Sequence, residues 1–151
     1  MTDDNLVPID IVNPGWAPIY LSNLTEDIPG YVEAPKHALA YPWKHFIGGH
    51  NGRLGTRDYV TLHQQYMADI ADNSRKAIDS IDPTPFFGKY GENVWAGLKG
   101  YRDEIARTAA APVVEKYTGV LAAAAVFTES TTFQVMQSIR LDLGHGSWVH
   151  P

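Results

Sequence analysis

TRDYVTLHQQYMADIADNSRKAIDSIDP, residues 56–83, is the stretch that decides the fold class. Tyr59, Leu62, Tyr66, Met67, Ile70, Ala77, Ile78 and Ile81 recur at steps of three and four, which makes one face of a helix apolar. Thr56 suits the N-cap, and Asp58 complements the positive end of the helix dipole. Asp82-Pro83 stops the pattern, because proline has no N–H to continue the ladder.

C-terminal to this helix the periodicity stays mostly helical. Thr84–Gly91 reads as a loop pinned by Pro85, Phe86, Phe87 and Tyr90. Val94, Leu98, Tyr101 and Ile105 form a second stripe. Ala109–Phe127 is rich in alanine, the best helix former, with Pro112 in its first turn and Gly119 as its weak point. Thr128 then caps a last helix with Val135, Met136, Ile139 and Leu143 inside, and Gly144 suits its end.

N-terminal to it the chain is rich in Pro and Gly. Short strands are expected near Leu6–Val12, Ile19–Leu21 and Trp43–Ile47, with a helical stretch over Asp27–Tyr41 that Pro35 breaks or kinks. The expected class is α+β, mostly helical, with a few short strands and C-terminal helices. We expect one domain over 1–151: a strand and loop region over 1–58, a helical region over 59–144 and a tail over 145–151.

Composition narrows the function classes. Hydrophobic residues make up 44% and charged residues 19%, so the chain can bury a core. The net charge is -5, which argues against a nucleic-acid partner, since phosphate neutralisation needs a basic surface. With no cysteine, disulfides, thiolate nucleophiles and Cys-ligated metals are excluded. No apolar run approaches the roughly 20 residues of a membrane span, and the N-terminus is acidic where a signal peptide is basic. A cytoplasmic location and no membrane partner are the expectation. The sequence holds no P-loop, no Gly-x-Gly-x-x-Gly, no Gly-x-Ser-x-Gly elbow and no His-Glu-x-x-His.

Two residues remain as metal-ligand candidates. Asp10 ends an apolar stretch just before Asn13-Pro14-Gly15, and His50 follows Trp43–Ile47 through Gly48-Gly49. A carboxylate and an imidazole at the ends of neighbouring strands suit zinc, iron or manganese. The plainer alternative is that Asp10 caps or pairs locally and His50 satisfies a loop. His63 reads as a partly buried packing residue, His37 and His45 as surface groups, and His145 and His150 as tail residues. Arg53 either takes an anionic group or joins a loop ion pair, with the ion pair favoured. Trp16, Trp43, Trp95, Phe86 and Phe87 read as core or interface, because no basic residues interleave with them.

Four words occur in order: Ile9-Asp10-Ile11-Val12-Asn13-Pro14-Gly15-Trp16, Asp27-Ile28-Pro29-Gly30-Tyr31, Phe46-Ile47-Gly48-Gly49-His50 and Arg53-Leu54-Gly55-Thr56-Arg57-Asp58. Together they resemble the C-terminal half of metallo-β-lactamase-fold hydrolases, specifically over Asn5–Asp58 and more weakly to about Gly144. The resemblance implies half of an αββα sandwich, with Asp10 matching the carboxylate that bridges two metals and His50 matching a metal ligand. The family's His-x-His-x-Asp-His motif is not in this sequence. A catalytic zinc needs three protein ligands, so no catalytic residue and no cofactor-binding residue is assigned, and zinc would meet an incomplete ligand set.

Two functions follow from the resemblance. One is a truncated, non-catalytic protein that self-associates as a homodimer, covering the sheet face or helices that half a fold leaves open. The other is a metal-dependent hydrolase of an ester, thioester or lactone-like substrate, completed by a chain that carries the missing half.

Overall fold

The computed structural model describes residues 5–50 and 52–141. Three short strands, β1 (Asn5–Leu6), β2 (His45–Ile47) and β3 (Leu54–Gly55), form one sheet in the order β1-β2-β3. β1 runs parallel to β2, with Leu6 opposite Phe46, and β2 runs antiparallel to β3, with Phe46 opposite Gly55 and Ile47 opposite Leu54. Between β1 and β2 lie α1 (Tyr20–Leu24) and α2 (Ile28–Leu39). After the sheet come α3 (Arg57–Ser80), α4 (Thr84–Tyr90), α5 (Val94–Tyr117) and α6 (Ala124–Leu141). The chain is thus mostly helical with a small sheet, as its periodicity predicts.

α3 buries the predicted stripe. Tyr66 and Ile70 are inaccessible to solvent and join Met67, Tyr117, Val135 and Ile139 in the main core between α3, α5 and α6. A second cluster, with Ala77, Ile105, Ala106, Ala109 and Met136, extends this packing along the same helices. Small residues on α5 bring the helix backbones close, which is why an alanine-rich sequence lies in the core here. A third cluster joins the sheet to α3 through Val12, Trp43, Phe46 and Val60.

Several expectations are corrected. Leu6–Val12 is not one strand: β1 ends at Leu6, and Asp10 at φ 62 turns the chain. β2 starts at His45, not Trp43, and β3 was not foreseen. Pro35 does not break α2, and Pro112 lies in the interior of α5, not in a first turn. In both helices the ring removes one donor, while tertiary packing keeps the remaining helix in place. Thr84–Gly91 contains α4 in place of a loop, with Pro85 near its start, where a missing N–H costs nothing. The single helix expected over Ala109–Phe127 is divided. α5 ends at Tyr117, Gly119 adopts φ 83, and α6 begins at Ala124, ahead of Thr128. The expected roles of Leu143, Gly144, His145 and His150 lie outside the described residues.

The expected strand at Ile19–Leu21 is the largest departure. Leu21, Ser22, Asn23 and Leu24 have φ between 50 and 60, so α1 is a left-handed turn. Each L-residue in that region costs roughly 1–2 kcal/mol. The turn is held from outside by Ser130 Oγ, which accepts from the Leu21 N–H at 3.3 Å, and locally by the Asn23 N–H, which donates to the Ile19 carbonyl at 2.6 Å.

Candidate functional site

The structure brings Asp10 and His50 together. His50 Nε2 lies 2.7 Å from Asp10 Oδ1, with both side chains about half exposed at 53% and 51%. The parallel pairing of β1 with β2 sends both strands out of the sheet at the same end, so the loops that follow them run side by side. The Asp10 N–H donates to the Gly48 carbonyl at 3.1 Å and fastens the two loops.

The two glycines are required by this fit. A Cβ on Gly48 would stand 2.5 Å from the Val12 carbonyl oxygen. Gly49 has φ 85, and a Cβ there would meet Ile9 Cγ2 at 2.7 Å and Asp10 Oδ1 at 3.2 Å. Any larger residue would push the His50 loop away from Asp10.

Asn23 supports the pair from behind. Its amide nitrogen donates to the Asp10 carbonyl at 2.9 Å and to the Tyr31 hydroxyl at 3.0 Å. Its amide oxygen accepts from Asn13 Nδ2 at 3.0 Å and from the Ile19 N–H at 2.8 Å. All of the amide's ordinary bonding capacity is therefore used on three segments of chain. Burial holds the Tyr31 hydroxyl protonated well above the usual tyrosine range, so it stays a neutral partner. Nothing in Leu-Ser-Asn-Leu announces this role, and sequence reasoning missed it. Asn23→Ala removes the hydrogen bonds and forces a less tolerant residue to φ 59. We expect it to destabilise the chain by about 2 kcal/mol. Asn23→Gly, which relieves the backbone but restores no bond, should recover less than half of that loss in urea denaturation. Full recovery in the glycine variant would mean that the amide bonds contribute little.

The other basic and aromatic candidates are distributed as follows. His37 and His45 are exposed, as expected, whereas His63 is fully buried and not partly so. Trp43 is buried and Trp95 is 80% exposed. The ion pair favoured for Arg53 is not formed among the described residues: Arg53 Nη2 donates to the Tyr59 hydroxyl, and the guanidinium lies over the Tyr59 ring at 5.1 Å. One signal was legible but not read: residues 34–57 contain Lys36, Lys44, Arg53 and Arg57 and no Asp or Glu, although the whole chain is acidic.

The donor set does not fit a closed or catalytic zinc site. Among the described residues no group of three His, Asp or Glu is placed to hold a metal ion. Two ligands at normal zinc distances in a tetrahedral arrangement stand about 3.3 Å apart, so the Asp10–His50 contact would have to open to admit an ion. What the pair does as it stands is fix the imidazole by a hydrogen bond from Nε2 to the carboxylate.

No family model matches the chain, and no curated protein or solved structure matches it either. No described helix is long and apolar enough to cross a membrane.

Proposed function

We propose that this chain is the C-terminal half of a metallo-β-lactamase-like αββα sandwich, not catalytic alone, that self-associates as a homodimer. One observation carries the self-association: the β2–β3 part of the sheet's outer face is apolar and exposed, although Asn5 and His45 share that face toward β1. Ile47 and Leu54 are paired across β2 and β3 and are 44% and 58% exposed, while their neighbours Phe46 and Gly55 face inward. Val7, just past the end of β1, is 55% exposed. Apolar side chains exposed together on β2 and β3, beside an open strand edge, make a surface that seeks a partner. An uncharged face also lets two acidic chains meet without setting like charges against each other.

Light scattering at micromolar concentration tests this reading. We expect a dimer mass for the natural sequence and a monomer for Ile47→Lys/Leu54→Lys. A monomer for the natural sequence would exclude homodimerisation.

The contact between Asp10 and His50 favours a second reading, in which a partner chain supplies the missing ligands and the assembly is a metal-dependent hydrolase of an ester, thioester or lactone-like compound. Here Asp10 and His50 would hold the ion, and zinc would supply the Lewis acid. The test is metal content of the purified chain, with hydrolysis of a generic ester measured with and without added zinc. Under the first reading the chain alone retains little zinc and hydrolyses the ester no faster with it. A robust zinc-dependent activity that Asp10→Ala or His50→Ala abolishes would overturn the first reading.

A further inference from the structure

Arg53 is fixed in an unusual way for an exposed cation. Its guanidinium lies over the Tyr59 ring, its Nη2 donates to the Tyr59 hydroxyl, and Nη1 sits 3.0 Å from the point where Gly15 would carry a Cβ. Gly15, at φ 76, both turns the chain and leaves room for the guanidinium to approach the backbone. Tyr59 is itself packed against the cluster of Val12, Trp43, Phe46 and Val60, so the aromatic support is anchored in the core. The side chain thus pays little entropy when it binds something, because its orientation is already set.

What it holds at present is neutral. Neither the ring nor the hydroxyl of Tyr59 offsets a full positive charge, and no carboxylate among the described residues makes an ion pair with Arg53. Asp10, on the loop that follows β1, is paired with His50. The stretch 34–57 supplies three further cations and no acid. Arg57 is occupied elsewhere: it donates to the Tyr41 and Leu39 carbonyls at 3.1 and 2.6 Å and stacks on Trp43.

We propose that Arg53, clamped on Tyr59 above Gly15, binds the oxyanion of a small ligand. A planar guanidinium whose hydrogen bonding among the described residues is confined to Nη2 and the Tyr59 hydroxyl keeps further N–H donors for a carboxylate or phosphate oxygen, whereas an ammonium offers only a point charge. The site sits on the loop that also carries His50, and it does not depend on whether Asp10 and His50 hold a metal.

The test is titration of the full chain with benzoate and, separately, with inorganic phosphate, followed by nuclear magnetic resonance at the Arg53 Nε–H, which Arg53→Lys identifies by its loss. We expect saturable shifts at that signal with one or both anions. A response to benzoate alone assigns a carboxylate ligand, and a response to phosphate alone assigns a phosphate ligand. Backbone amide shifts around Gly15 and Arg53 report binding in the variants. Arg53→Gln should weaken it by about tenfold, Arg53→Lys by several-fold, and Tyr59→Phe, which keeps the ring but releases Nη2, by about threefold. No saturable shift with either anion would overturn the proposal. So would binding to Arg53→Lys as tight as to the natural sequence, since a point charge would then suffice, or an unchanged affinity in Tyr59→Phe.

Discussion

Acidification from about pH 7 to about pH 4.5 should cost the natural sequence about 2–3 kcal/mol more stability than it costs a His63→Phe variant. His63 lies on α3, 4% exposed, with its Nε2 lacking any hydrogen-bond partner in the described structure. Its ring meets Tyr31 edge-on at 5.4 Å between centroids. Burial lowers its pKa from 6.5 to about 4, because desolvation penalises the charged imidazolium. The sign follows directly. Between those two values the unfolded chain takes up a proton that the folded chain refuses, so stability falls as pH drops through that window. Above it the imidazole is neutral in both states and contributes no pH dependence. Phenylalanine keeps the ring contact with Tyr31 and removes the titration. Urea midpoints for both proteins, measured across the window, check this. Parallel profiles would show that His63 is hydrated or paired in solution.

Phe46→Ala should destabilise the chain by about 3–5 kcal/mol, the usual cost of emptying a buried phenylalanine site. Phe46 is inaccessible to solvent and meets Trp43 edge-on at 5.9 Å. Its ring occupies the space where Gly55 would carry a Cβ, only 2.0 Å from Cε1. The ring therefore fills the space over Gly55 and joins Val12, Trp43 and Val60 in one cluster, so its removal opens a cavity among them. Phe46→Leu should recover more than half of the loss. Denaturant unfolding measures both, and a loss below about 1 kcal/mol for alanine would mean that the cluster collapses around the gap.

The sequence made α3 legible because Tyr59, Leu62, Tyr66 and Ile70 are large and strictly spaced. α5 was harder to read, since Ala106, Ala109 and Ala110 are buried yet carry little hydrophobic contrast. Pro35 reads as a break or kink and Pro112 as a first-turn residue under a local rule, whereas both lie inside continuous helices that tertiary packing maintains. Ile19–Leu21 has the residues of a strand, but bonds from Ser130 and within the Asn23 hub impose a left-handed turn. No local preference reports a partner that lies so far along the chain. The meeting of Asp10 with His50 was foreseeable from the paired strands and the two glycines. The tie of Arg53 to Tyr59 was not, because an arginine's nearest partner depends on where the loop is folded back.

The left-handed turn also bears on the order of assembly. Leu21 N–H to Ser130 Oγ and Gln134 Nε2 to the Thr25 carbonyl each close a span of 109 residues. Such closures come late in folding, since their loop entropy is lost before the contact gives anything back. A damaged latch, as in Ser130→Ala, should therefore leave the refolding rate nearly unchanged and raise the unfolding rate. Cleavage of the chain between α5 and α6 should loosen the loop that follows Asp10 first, because Ala122 in that connection accepts from the Ala17 N–H and donates to the Gly15 carbonyl: the last connection acts as the clasp on the first loop.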